Sequence, residues 1–243
     1  MANRQRAEAR RKAAAKAANG GSGSKTWMWV TIAVVVVAAV IGVVIATTGG
    51  DDAPASNGTT DTSAGGLADL PTSQPVKVTG DALPAFDSKA TPDPAVEMTA
   101  PILDGSNFNS QPIKVDAADG AYMLVFLAHW CPHCNAEIPR LISWKNSGAV
   151  PPDLRVIGVA TAVDSSSVNF PPAQWFSDKG WPWPVLVDES TGAGAAGKAA
   201  AAYGATGWPY FVIVGADGKV KVRVSGEVEI ADLQKIVDAA LAA

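Results

Sequence analysis

The chain has 243 residues, 48% of them hydrophobic and 17% charged, with a formal net charge of −4, two cysteines and two histidines. That length holds one domain of ordinary size with extensions. An acidic balance with scattered basic residues excludes nucleic-acid binding as the business of the folded part, and a single cysteine pair excludes a finger-type zinc site, which needs a second pair at a distance.

Charge is uneven along the chain. Residues 1–25 carry a net of +6, residues 26–95 a net of −5 and residues 96–243 a net of −5. From Trp27 to Ala46 no residue is charged and Val, Ile and Ala dominate. Twenty such residues at about 1.5 Å each match a hydrocarbon core of about 30 Å, so residues 27–46 are expected to be a transmembrane helix. Trp27 and Trp29 suit the headgroup region, and the preceding Arg4, Arg6, Arg10, Arg11, Lys12, Lys16 and Lys25 place residues 1–26 in the cytoplasm and the remainder outside. The apolar run exceeds that of a cleaved leader, and Ile45-Ala46-Thr47-Thr48 is a poor cleavage site, which favours an uncleaved anchor. Residues 47–95 are rich in Gly, Asp, Ser, Thr, Ala and Pro and are expected to be a flexible linker. The folded domain is expected to begin between Thr91 and Pro101, with bounds taken as 96–243.

Within that domain the elements alternate. A hairpin is expected over Ala100–Val115, turning at Asp104-Gly105. The uniformly apolar Tyr122–Ala128 reads as a strand covered on both faces. A helix follows from about Pro132 to Lys145 with Pro139 inside it, then a second buried strand over Leu154–Ala160. A short helix near Ala173–Lys179, a strand at Val185–Val187 and an Ala-rich helix over Ala195–Tyr203 come next. Tyr210–Val214 and Lys219–Val224 flank a Gly215-Ala216-Asp217-Gly218 turn as an antiparallel hairpin. Glu229–Leu241 closes the chain as an amphipathic helix with Leu233, Ile236, Val237 and Leu241 on one face. The pattern is that of an α/β sheet covered by helices.

The chemistry concentrates at Cys131-Pro132-His133-Cys134, which follows the first buried strand and opens the helix. A thiol at a helix start feels the positive end of the macrodipole, which favours the thiolate and makes it nucleophilic. A structural bridge here would close a very short loop and remove little entropy from the unfolded chain. A copper site built from the two thiols with His129 or His133 is the alternative reading.

Phe126-Leu127-Ala128-His129-Trp130-Cys131-Pro132-His133-Cys134 resembles the active-site segment of the thioredoxin-like superfamily, and Asn135-Ala136-Glu137-Ile138-Pro139 resembles its membrane-anchored TlpA/ResA-type members. Thr206-Gly207-Trp208-Pro209-Tyr210 resembles the cis-proline loop of the same superfamily. The resemblance covers about residues 96–243 and implies a thioredoxin-like fold, a central mixed sheet flanked by helices. It implies that Cys131 attacks and Cys134 resolves, leaving a redox-active Cys131–Cys134 disulfide with no other cofactor and no metal. Glu137 matches the acid that exchanges a proton with the resolving thiol, and Val125 stands where cytoplasmic thioredoxins carry a buried acid. His133, when protonated, lowers the Cys131 pKa. The resemblance implies a cis Pro209 and a substrate-binding rim formed with Trp130 and Trp208. Trp175, Trp181 and Trp183 read as packing of an inserted segment, with a partner-binding rim as the second reading.

The expected function is that of a membrane-anchored, extracytoplasmic thiol-disulfide oxidoreductase. Its expected partners are cysteine-containing exported proteins, a membrane or extracytoplasmic redox partner, and the lipid bilayer through residues 27–46. TlpA/ResA similarity favours a reductant, as in cytochrome c maturation, whereas the Pro-His dipeptide resembles DsbA-type oxidases, so the direction is open.

Overall fold

The computed structural model describes residues 66–243. The basic N-terminus, the expected membrane span 27–46 and the first part of the expected linker lie outside the described residues. Among the described residues no helix is long and apolar enough to cross a membrane.

The apolar run after Ala121 forms strand β4 (Tyr122–Leu127), every residue of which is buried. It pairs in parallel with β5 (Arg155–Ala160) and antiparallel with β7 (Tyr210–Val214). β6 (Val185–Val187) extends the sheet beside β5, and β8 (Val220–Ser225) beside β7, giving the order β6-β5-β4-β7-β8. This is the expected central mixed sheet. Parallel neighbours need long crossovers. Helix α1 (Pro132–Asn146) supplies the one from β4 to β5, and α2 (Pro172–Asp178) the one from β5 to β6.

Burial on both faces explains why β4 lacks polar alternation. Met123, Val125 and Leu127 face a core with Cys134, Ile138, Leu141 and Trp144 of α1, and with Leu233 and Val237 of helix α4 (Ile230–Ala242). Tyr122, Leu124 and Phe126 face a second core with Leu103, Val115 and Tyr203. Ala199 and Ala200 of helix α3 (Lys198–Ala202) belong to that second core. Ile236 and Leu241 are only partly buried, so the α4 face is narrower than its sequence pattern.

Three expectations are corrected. Residues expected to lie in a linker are part of the domain: Val76, Leu83 and Ala95 are buried, and β1 (Lys77–Thr79) pairs antiparallel with β2 (Ile102–Ser106). The segment is anchored by polar contacts rather than by a hydrophobic run. Leu83 and Phe86 N–H donate to the carbonyls of Ala202 and Gly204, and Asp93 pairs with the buried Arg223. Second, Asp104-Gly105 is not a turn. Both lie in β2 opposite Lys114 and Ile113 of β3 (Pro112–Val115), and a side chain at Gly105 would crowd Leu186 and Val76. The chain turns instead at Asn107–Gln111, where the Asn107 carboxamide oxygen accepts from the N–H groups of Asn109 and Gln111, a side-chain-closed turn. Third, α3 starts at Lys198 rather than Ala195, because the Asp188 carboxylate caps it by accepting from Ala199 and Ala200 N–H at 2.7 and 3.1 Å.

Candidate active site

Cys131 is the N-cap residue of α1 and Pro132 its first helical residue. Proline is favoured there, since the N–H it lacks would have no helical partner. Both cysteines are free thiols; Cys131 is 5% exposed and Cys134 fully buried. The peptide Trp208–Pro209 is cis, as expected. The Cys131 thiol faces it, with Sγ 3.5 Å from the Trp208 carbonyl oxygen. The two landmarks read from the sequence therefore meet at one sulfur.

The electrostatics separate the two thiols. Cys131 is lowered to about 6, first by the hydrogen bond from the Cys134 thiol, then by the backbone N–H groups of Cys134 and His133 and by the charge on His133, against the cost of burial. Burial pushes Cys134 far up, and the neighbouring Cys131 and Glu137 charges add to this. One sulfur is a nucleophile at neutral pH and the other holds its proton. Alkylation of Cys131 by iodoacetamide should rise with pH through a midpoint of about 6 and level off above it. A stopped-flow profile climbing only near the ordinary thiol range would contradict this assignment.

Glu137 has no solvent exposure. Its Oε2 accepts from Val228 N–H at 3.2 Å and from Arg140 Nη1 at 3.3 Å, and among the described residues Oε1 has no partner. Burial raises its pKa above the usual carboxylate range, the two donors opposing. A carboxyl whose proton affinity is raised in this way is suited to take up and return a proton beside the buried thiol. Val125 is fully buried among apolar side chains, so the strand offers no acid for this task.

His133 is on the surface and pairs through Nδ1 with Glu227 Oε1 at 2.7 Å, which raises its pKa. Its charge lowers the Cys131 pKa but is the smallest of the causes of that shift, behind the hydrogen bonds from Cys134 and the backbone. His129 is buried with both ring nitrogens committed: Nδ1–H donates to Val168 O at 2.8 Å, and Nε2 accepts from Asp164 N–H at 3.2 Å. That histidine is a structural clamp on the 162–170 loop and has no lone pair left for copper. Among the described residues no cluster of three or more His, Cys, Asp or Glu side chains has metal-binding geometry.

Trp130 is half-buried and donates from Nε1 to Ala162 O at 2.6 Å. Trp208 is half-buried and Pro209 buried. The aromatic insert is mostly packing: Trp175 is buried and donates to Asn135 Oδ1, and Trp181 stacks edge-on between Phe176 and Trp183. Asn135 in turn donates to the carbonyls of His129 and Cys131, tying the insert to the cysteine loop. Three residues near the pair were missed. Arg140 was legible, since His133, Glu137 and Arg140 recur at helical spacings of four and three and so share a face. Glu227 and Asn135 left no local signal, because their partners are remote in sequence or backbone.

Residues 91–223 match the AhpC/TSA family. The chain belongs to that family. The matched stretch encloses both cysteines, Glu137 and Pro209, and the resemblance to thioredoxin-like thiol-disulfide oxidoreductases holds for this AhpC/TSA member. No curated protein matches it in sequence. Solved structures similar to it include a thioredoxin-family thiol:disulfide interchange protein from Chlorobium tepidum, at 25% identity and TM-score 0.46 over 58% of this chain and 94% of that one. StoA from Bacillus subtilis is 16% identical, with TM-score 0.45 over 59% and 99%. A secreted Mycobacterium tuberculosis disulfide oxidoreductase is 24% identical, with TM-score 0.43 over 56% and 94%.

Proposed function

We propose that this protein is a membrane-tethered, extracytoplasmic oxidoreductase that exchanges disulfides with cysteine-containing exported proteins. The observation that carries this reading is the asymmetry of the pair, an activated Cys131 facing the Trp208–Pro209 loop over a protonated, buried Cys134. The Cys131 thiolate attacks one sulfur of a partner disulfide; that S–S bond breaks, the attacked sulfur is held to Cys131 as a mixed disulfide, and the other partner sulfur departs as thiolate. Cys134 then gives its proton to the Glu137 carboxylate and attacks Cys131 Sγ. The mixed S–S bond breaks, the second partner thiolate is released, and the Cys131–Cys134 disulfide remains. Two electrons pass from the protein to the partner; the reverse sequence oxidises a dithiol. The Trp208 backbone beside Cys131 offers polar groups to an extended partner segment, with Trp130 and Trp208 as its apolar walls.

The thiolate value supports a direction. A nucleophile at about 6 lies between those of thioredoxin, about 7, and DsbA, about 3.5. Stabilising the thiolate stabilises the reduced form, which favours the oxidising direction over the reducing one. The uncharged apolar run over residues 27–46, read from the sequence as a membrane span, supports the location, with the domain reaching exported proteins outside the cytoplasm.

Glu137→Gln tests the proton step. The amide keeps the shape and can still accept from Val228 N–H, but it cannot take a proton. Resolution of a preformed mixed disulfide should slow by about 10²-fold, the low end for a lost general base, while initial attack by Cys131 is little changed. Equal slowing of both steps, or of neither, sinks the role assigned to Glu137.

A further inference from the structure

A chain of charged side chains joins the two halves of the cysteine pair, and its central member takes no part in the steps above. At the buried end Glu137 Oε2 accepts from Arg140 Nη1 at 3.3 Å. The same guanidinium nitrogen donates to Glu227 Oε2 at 2.6 Å, and Arg140 Nη2 lies 3.4 Å from Glu229 Oε1. The other oxygen of Glu227 meets His133 Nδ1 at 2.7 Å. One carboxylate therefore touches both the cation beside the buried acid and the histidine beside the nucleophile. Glu227 sits in the loop between β8 and α4, and its neighbour Val228 pins that loop to the site by donating to Glu137 and by burying its own side chain. The charged and titratable groups facing this junction are Cys131, His133, Glu137 and Arg140 from α1 and its cap, with Glu227 and Glu229 from the loop. Thr206–Pro209 adds no ionisable side chain.

We propose that Glu227 is a positioning residue that couples the two thiols, setting through His133 how strongly the Cys131 thiolate is stabilised and through Arg140 the proton affinity of Glu137 beside Cys134. The inference rests on the exchange chemistry proposed for these cysteines and names the residue that tunes it. The signs follow from charge. The Glu227 carboxylate favours the protonated form of His133, and protonated His133 favours the Cys131 thiolate. The same negative charge opposes a second one on Glu137 and keeps it a readier proton acceptor. Neutralising Glu227 therefore moves the titration of His133 down, of Cys131 up and of Glu137 down.

The test is a titration of the reduced full-length chain in detergent micelles, following His133 by its ring-proton NMR signals and Cys131 by alkylation rate. Glu227→Gln keeps the shape and removes the charge. It should lower the His133 midpoint and slow alkylation at pH 6 about two-fold, the scale of one exposed ion pair. Glu227→Asp, which keeps the charge, should recover part of both. In the unmodified protein, 1 M salt should move Cys131 in the same direction, because the Debye length there is about 3 Å. That arm keeps the test valid should the variants fold poorly. Unchanged His133 and Cys131 titrations in Glu227→Gln, or a salt-independent Cys131 midpoint, overturn the proposal. These titrations need no exchange partner. A wild-type protein that titrates as described yet exchanges with no disulfide would sink the proposed function and leave the coupling standing.

Discussion

Replacing Cys134 should stop turnover after the first attack, and the choice of replacement should separate two effects of this residue. Cys134→Ser keeps a hydroxyl in place of the thiol that donates to Cys131. The nucleophile stays activated, and the protein accumulates as a mixed disulfide with its partner, visible as a non-reducing gel shift. Cys134→Ala removes the donor as well. The hydrogen bond from Cys134 is the largest cause of the lowered Cys131 pKa, so its loss lets that value move from about 6 towards the ordinary 9.0. At pH 7 a complete return would leave about ninety-fold less thiolate, and trapping should slow by up to that factor. Equal trapping rates for the two variants would mean that the helix terminus alone activates Cys131.

The second large effect lies far from the sulfurs. Arg223 on β8 has no side-chain exposure, and the Asp93 carboxylate grips it in a two-pronged pair, with Nε to Oδ2 at 2.8 Å. It also donates to the carbonyls of Pro84 and Tyr203. Removing one partner of a buried pair leaves a buried charge uncompensated, at a cost of about 3–5 kcal/mol. A domain's whole stability is about 5–15 kcal/mol. Asp93→Ala should therefore shift the urea midpoint far down. A fragment cut at residue 96, which also loses Pro84, Val76 and Leu83, should fail to fold. Asp93→Ala combined with Arg223→Met should regain much of the loss, because an apolar side chain in that space needs no counter-ion. Acid acts the same way. The guanidinium holds Asp93 below the ordinary carboxylate range, so the pair's contribution is complete above that range and lost as pH falls through the lowered value. An Asp93→Ala protein as stable as the parent would refute the anchoring role.

That pair also marks where sequence reading reached its end. Tyr122–Leu127 and the Cys131–Cys134 spacing were legible because each carries a local signature, a doubly buried strand and a helix-capping thiol pair. Trp208–Pro209 was read through the family resemblance, since a proline opening a strand does not by itself signal a cis bond. Residues 76–95 carried none. Their composition is that of a tether, and they are held by contacts to residues remote in sequence, such as Asp93 to Arg223 and Leu83 to Ala202. Gly105 misled for a related reason, since glycine serves tight packing against Leu186 as readily as it serves a turn. At the site, Glu137 could be read because it matches, three positions after Cys134, the acid of the family the chain resembles. Glu227 could not, because only the fold brings the β8–α4 loop to His133 and Arg140.

The most direct test is the redox equilibrium of the full-length protein with glutathione, read by mass as the loss of two hydrogens across the Cys131–Cys134 pair. A single two-electron transition between about −270 and about −120 mV, absent in Cys131→Ser, is the expected result. A pair that stays reduced at every glutathione ratio, or a Cys131→Ser variant that exchanges as fast as the parent, would contradict the assignment of Cys131 as the exchanging thiol.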